Sequence, residues 1–474
     1  MRRGLKWFLI ATGGLIMTIG VAAAWYLGQV GPVGSGFVAK YLCSGTFVSL
    51  RDPETVFQQD VAPINPLAAR FSFAIDRQNK RVTANLLGLF GQTAVWREGC
   101  GCTLVVGATE EQIRSQRLVA PDFVQDRPLH RPDRPWPHGN AGPVKPETLG
   151  IDPLKLNRAL DQAFAEPGPG VRRQTRAVVV VYKGCLVAER YAAGIDREMP
   201  LLGWSMSKSV TNALVGILVK EGKLAVQQPA PMPEWRGDPR KAAITIDQLL
   251  RMSSGLAFDT INQPMADTPQ MLYASRDIAA YAAAKPLEAE PDSKWHYSSG
   301  TSNILARIVR RSVEKTYTYY FEFLYEKLFD RIGMHSAVME PDVTGTFVGS
   351  SYTFATALDW ARFGLLYLQD GVWENQRILP PGWVAYSTTP TTAAPTGQYG
   401  AHFWLNAGAA GNPDNRKWPH APHDAYAALG YQEQQVIVIP SRKTVLVRFG
   451  ATVDGGAWNT DSFIQSILMA LPSG

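Results

Sequence analysis

Metal-ligand patterns are missing from this sequence. Its four cysteines (Cys43, Cys100, Cys102 and Cys185) include no C-x-x-C pair, and its seven histidines form no H-E-x-x-H or H-x-H grouping, so a bound metal is not expected. Dense runs of one charge are also missing. Lys and Arg number 47 against 41 Asp and Glu, a net charge of +6 with no basic stripe, which argues against a nucleic-acid partner. Internal repeats and low-complexity tracts are absent too. What the chain has is 46% hydrophobic content over 474 residues, enough to bury a sizeable core in one large domain with an addition, or in two domains.

The first residues carry Arg2, Arg3 and Lys6, and an uncharged stretch from Trp7 to Leu27 follows. That is long enough to cross a bilayer as a helix, so residues 1–30 are expected to be a membrane anchor or a signal peptide. Ala22-Ala-Ala24 offers a cleavage site, but the apolar run continues beyond it through Trp25-Tyr-Leu27, which favours an anchor. The body is therefore expected on the extracytoplasmic side of the inner membrane, or secreted if cleaved near Ala24. Export permits disulfides: Cys43 can pair with Cys100 or Cys102, whereas Cys100 with Cys102 would close too small a ring. Cys185 reads as a small buried hydrophobe.

Gly28 to Gly36 suggests a short flexible joint. Residues 31–120 carry strand-like runs (Phe71-Ser-Phe-Ala-Ile75, Thr93-Ala-Val-Trp96, Thr103-Leu-Val-Val106) and are expected to form a small mixed extension. Prolines recur over residues 121–146, marking a linker or a strap. The remainder, 147–474, reads as the main domain. Asp152-Pro153 opens a helix with Leu156, Leu160 and Phe164 at four-residue spacing. Ala177 to Tyr182 and Cys185 to Tyr191 are two strands around Lys183-Gly184, the first without alternation and so covered on both faces. A mainly helical stretch leads to residue 400, followed by strands at Val436 to Ile439 and Thr444 to Phe449 and a closing helix from Thr460. The pattern predicts an α/β (α+β) fold: an antiparallel sheet built from both ends of the domain, flanked by helices, with a helical lobe inserted.

The spacing S-x-x-K occurs as Ser205-Met-Ser-Lys208 and again as Ser312-Val-Glu-Lys315. On a helix such residues lie one turn apart on one face, so the lysine amine can reach the serine hydroxyl and serve as its base. The second copy falls in a charged amphipathic run and is expected mid-helix facing solvent. The first is flanked by Leu201, Leu202, Gly203 and Trp204 before it and by Val210, Ala213, Leu214, Ile217 and Leu218 after it, which places Ser205 at a buried helix N-terminus.

With Glu221-Gly-Lys-Leu224, Ser253-Ser-Gly-Leu256, Tyr297-Ser-Ser299, Ile332-Gly-Met334 and Gly430 to Pro440 in the expected order, residues from about 146 to 474 resemble the serine β-lactamase and penicillin-binding-protein superfamily. Within it they resemble the class C, esterase and 6-aminohexanoate-dimer-hydrolase-like branch. The resemblance implies Ser205 as nucleophile, Lys208 as its base and Tyr297 as the tyrosine of the Y-x-N box, able to relay a proton if Lys208 lowers its pKa. Ser299 stands where that box has Asn and is expected to contact substrate. The K-T-G box is replaced by Ala428-Leu-Gly430; Gly430 would let backbone approach the acyl group, and the N–H groups of Ser205 and Tyr431 would form the oxyanion hole. Loss of the K-T-G lysine removes a cation for a substrate carboxylate, which argues against penicillins.

The implied reaction is hydrolysis of a small-molecule or peptide-like ester or amide through an acyl-enzyme on Ser205, with no cofactor. Gly203-Trp-Ser-Met-Ser207 nearly spells the nucleophile elbow of α/β-hydrolases but fails at its last position. The alternatives on the same fold are a D,D-peptidase and a non-catalytic protein that binds peptidoglycan.

Overall fold

The computed structural model describes residues 2–64, 67–125, 127–128, 133–261 and 263–472. Helix α1 (Arg2–Phe47) runs unbroken through Gly28 to Gly36, where the sequence suggests a joint. Its first part, from Trp7 to Gln29, is largely exposed, whereas from Val30 onward it is largely buried in the body. Gly31, Gly34 and Gly36 are points of close approach within a continuous helix. A Cβ on Gly31 would lie 2.5 Å from the Phe90 ring, and one on Gly34 2.7 Å from Phe71.

The buried half of α1 packs on a four-stranded antiparallel sheet in chain order: β1 (Phe71–Asp76), β2 (Arg81–Leu86), β3 (Leu89–Arg97) and β4 (Gly101–Leu104). A disulfide joins Cys43 of α1 to Cys102 of β4, which selects one of the two pairings left open by the sequence; Cys100 is a free buried thiol and Cys185 is only half-buried. Helix α1 also reaches the main domain, where Lys40 forms an ion pair with buried Glu340, and that carboxylate further accepts from Ser44 Oγ at 2.9 Å and Cys102 N at 2.6 Å. The proline-rich segment lies across the body. Trp136 is buried, and Arg362 donates to the Pro137 and Gly139 carbonyls at 2.9 and 2.7 Å.

The main domain opens with α2 (Pro153–Phe164), capped by Asp152, which accepts from the N–H groups of Leu154 and Lys155. Strands β5 (Thr175–Tyr182) and β6 (Cys185–Tyr191) lead into α3 (Ser207–Lys220), and the helical lobe contains α4 (Ser299–Val313). The chain returns through α5 (Ala357–Leu368), β7 (Trp404–Leu405), β8 (Tyr426–Gly430), β9 (Gln434–Ile439), β10 (Thr444–Gly450) and α6 (Thr460–Leu468). These strands form one antiparallel sheet in the order β7-β8-β9-β10-β5-β6, so the two ends of the domain meet where β10 pairs with β5. Val179 and Val181 face one core cluster, and Val178 and Val180 face another that includes residues of α2 and α6. Both faces of β5 are covered, which explains its missing alternation; each buried valine contributes roughly 1.5–3 kcal/mol.

Candidate active site

A single 3-10 turn, Trp204–Met206, precedes α3 and presents Ser205 to the central cleft. Two glycines make room for it. A Cβ on Gly203 would lie 2.5 Å from the Trp360 ring, and one on Gly430, at the end of β8, would lie 2.2 Å from the Gly203 carbonyl oxygen. Gly430 is thus required by contact with the nucleophile turn itself. Trp204 holds φ 48, a region that bulky residues rarely enter, and its ring is braced edge-on by Tyr431 at 5.7 Å and at a tilt by Tyr41 of α1 at 5.9 Å.

One turn on, Lys208 is 1% exposed. Its Nζ lies 3.0 Å from Ser205 Oγ, 3.2 Å from Ser299 Oγ and 3.0 Å from the Ser350 carbonyl. Burial pushes its pKa down to about 7, because the ammonium form loses its hydration. A neutral amine has two N–H donors and one lone pair. Three partners satisfy it when Ser350 O and Ser299 Oγ accept and the Ser205 hydroxyl donates to the lone pair, the polarity that general-base attack requires.

Tyr297 reaches the same hydroxyl through a side-chain hydrogen bond with Ser205, and its ring packs between Trp404 at 5.4 Å and Tyr399 at 5.8 Å. Burial pushes its pKa up to about 12, only partly offset by the bond to Ser205. This corrects the expectation that Lys208 lowers it. The amine stands 5.0 Å from the ring centroid, but the shift is set by burial of the phenol itself. The Tyr297 phenol therefore keeps its proton at neutral pH.

The cleft has a volume of about 820 Å³, and Ser205, Tyr297, Ser299, Gly430 and Tyr431 all line it. Lys208 lies beneath Ser205. Ser299, expected to contact substrate, also accepts from Lys208, so its hydroxyl is partly committed to holding that amine. The other copy of the spacing is elsewhere: Ser312 Oγ donates to Ile308 O of its own helix at 2.9 Å.

Several residues of the site have no motif to announce them. Ser350 acts through its backbone carbonyl. His402 sits behind the base with Nε2 2.6 Å from Ser302 Oγ, and burial followed by the nearby Lys208 pushes its pKa down to about 3, so it stays neutral. Lys417 comes from the loop before β8 to line the cleft, its Nζ 4.8 Å above the Trp404 ring. The cleft thus contains a lysine despite the lost K-T-G box. Val33, Gly34 and Phe37 of α1 form part of the wall, a role unforeseen in the sequence.

Over 308 residues the chain is 25% identical to the 6-aminohexanoate-dimer hydrolase of Paenarthrobacter ureafaciens, spanning 59% of this chain and 73% of that protein. A Bacillus anthracis structure, named provisionally as a 6-aminohexanoate-dimer hydrolase, matches with TM-score 0.55 at 24% identity over 67% of this chain and 83% of its own. A family VIII carboxylesterase matches with TM-score 0.54 at 15% identity over 67% of this chain and 97% of its own, a likeness of fold. The Beta-lactamase family model matches residues 160–458, a span that contains Ser205, Lys208 and Tyr297. On that match the chain belongs to the Beta-lactamase family, and it is a serine hydrolase.

Proposed function

We propose that this hydrolase is exported, held to the membrane by the first part of α1, and cleaves an ester or amide through an acyl-enzyme on Ser205. Ser205 Oγ attacks the carbonyl carbon while its proton passes to neutral Lys208. The backbone N–H groups of Ser205 and Tyr431 hold the oxyanion. Collapse breaks the bond to the leaving group, which takes a proton from Tyr297, and Lys208 returns its proton to the tyrosine. Water then attacks the acyl-enzyme by the same route in reverse and releases the acid. The observation that carries this reading is the buried Lys208 amine, at about 7, placed 3.0 Å from Ser205 Oγ at the cleft floor. Arg2, Arg3 and Lys6 ahead of the apolar stretch support a cytoplasmic N-terminus with the body outside.

Lys417 favours a second reading, a D,D-peptidase-like enzyme whose substrate carboxylate meets this amine. The test is to incubate the protein and Ser205→Ala with a short-chain p-nitrophenyl ester, a linear 6-aminohexanoate dimer, a β-lactam chromophore and a D-Ala-D-Ala peptide. Turnover of the ester or dimer, lost in Ser205→Ala, is expected. Release of D-Ala alone establishes the second reading. No turnover of any probe and no fluorophosphonate label on Ser205 sinks both.

A further inference from the structure

We propose that the substrate is an amphiphile drawn directly from the bilayer: an ester or amide whose apolar acyl chain lies along α1 and whose polar part faces Lys417 and Glu433. This rests on the hydrolase reading above and adds to it the substrate class. Three observations converge on it.

The first is depth. From Trp7 to Gln29 the exposed stretch of α1 measures roughly 34 Å at 1.5 Å per residue, close to the ~30 Å hydrocarbon core of a bilayer. The helix enters the body at Val30, which is 7% exposed. Val33, Gly34 and Phe37, which line the cleft, follow within two turns, roughly 5–10 Å further along the axis. The headgroup layer on each side of the core is about 5–8 Å deep. The wall of the cleft therefore starts at headgroup level.

The second is the surface around that point. Leu87 and Leu89, at the β2–β3 turn, are 61% and 62% exposed, and the next residue, Phe90, packs on Gly31, so the turn stands level with the entry of the helix. Ile261 and Met265 are 57% and 50% exposed, on the segment whose Thr260 and Pro264 line the cleft. Single exposed apolar residues are ordinary on any surface. One pair stands at the base of a bilayer-length apolar helix and the other at the rim of the cleft, two apolar patches that can meet lipid.

The third is the polarity of the cleft. Val33, Phe37 and Leu272 line it on the α1 side, while the charged side chains of Lys417 and Glu433 line it from the segments before and after β8, beside Trp418, Leu429 and Trp458. Trp204 touches Tyr41 of α1 on one side and Tyr431 on the other, which sets Ser205 between the two ends. An acyl chain along α1 brings its carbonyl to Ser205. The carbonyl carbon then bonds to Oγ, the bond to the polar part breaks, that part leaves with the Tyr297 proton, and water releases a fatty acid beside the helix by which it entered.

The test uses the full chain reconstituted in phosphatidylcholine and phosphatidylglycerol vesicles, with 4-methylumbelliferyl palmitate in the bilayer and p-nitrophenyl butyrate in the water. The palmitate rate is expected to follow the mole fraction of ester in the bilayer and not its bulk concentration, a measurement that needs no variant. The combined Leu87→Asp and Leu89→Asp change is expected to lower the palmitate rate at least about tenfold and leave the butyrate rate unchanged. Butyrate cleavage with a palmitate rate that tracks bulk concentration, or that the double variant leaves unchanged, overturns this inference alone. No butyrate cleavage and no fluorophosphonate label on Ser205 instead removes the hydrolase reading beneath it.

Discussion

The spacing S-x-x-K occurs twice in this chain, and its two copies sit in opposite surroundings. At Ser205 the hydroxyl faces a cleft and the lysine one turn on is 1% exposed, held by Ser299 and the Ser350 carbonyl. At Ser312 the hydroxyl is spent on the Ile308 carbonyl of its own helix, and Lys315 lies exposed beyond the end of α4. Spacing brings an amine within reach of a hydroxyl. Burial decides whether that amine can take a proton at neutral pH.

The sharpest way to break the comparison is to delete each hydroxyl. Ser205→Ala is expected to lower kcat/KM by about 10⁴ or more on a p-nitrophenyl ester, and Ser312→Ala to leave it unchanged; the reverse result assigns the chemistry to the wrong copy. Next, Lys208→Met is expected to lower kcat/KM about 10³-fold and yet raise stability. The sign follows from linkage. The folded-state pKa, about 7, lies below the ordinary 10.5, so the unfolded chain binds more protons between these values. Lys208 therefore destabilises the fold increasingly as pH falls from about 10.5 to 7, and fully below that. At pH 7 the Met variant is expected to gain roughly 2 kcal/mol by urea unfolding, after loss of the hydrogen bonds at Ser299 and Ser350.

Tyr297→Phe, which keeps the ring against Trp404 and removes the donor, is expected to lower kcat/KM about 10²-fold with its fold intact by circular dichroism. A smaller effect sharpens the electrostatic point. The pH profile of kcat/KM should fall tenfold per unit below a limb near 7, as Lys208 becomes protonated. A limb displaced by more than two units would mean that the amine is not the base. Smallest of all, Lys315→Met is expected to change stability by less than about 0.5 kcal/mol, as usual for an exposed side chain.

The meeting of Ser205, Lys208 and Tyr297 in one place was legible because their local patterns survive in one dimension. So was the main sheet, whose runs at Val178 to Val181 and Val436 to Ile439 are too apolar for a one-faced surface. The docking of α1 was not. An apolar helix reads alike whether lipid or protein covers it, and Gly31 and Gly34 signal either freedom or close approach until Phe90 and Phe71 are seen against them. Lys417 was hidden for another reason: its place in the cleft depends on how a loop folds back over Trp404. The direction of the Tyr297 shift follows from the burial of its own phenol, which no motif records.

The Lys40–Glu340 pair joins positions 300 apart, whereas Cys43 and Cys102 are separated by 59. During synthesis, then, the disulfide partner of α1 emerges long before its ionic partner. The extension can close on the helix first and offer a finished platform to the domain that follows. The entropy of gathering so distant a segment rises only slowly with loop length, so a late arrival of Glu340 remains thermodynamically mild. Its order in time matters more. Val33 and Phe37 join the cleft through this platform, so a chain interrupted before residue 340 carries α1 and the Ser205 turn without the Lys40–Glu340 contact. The wall that α1 lends to the cleft is therefore completed in two stages, the disulfide before the ion pair.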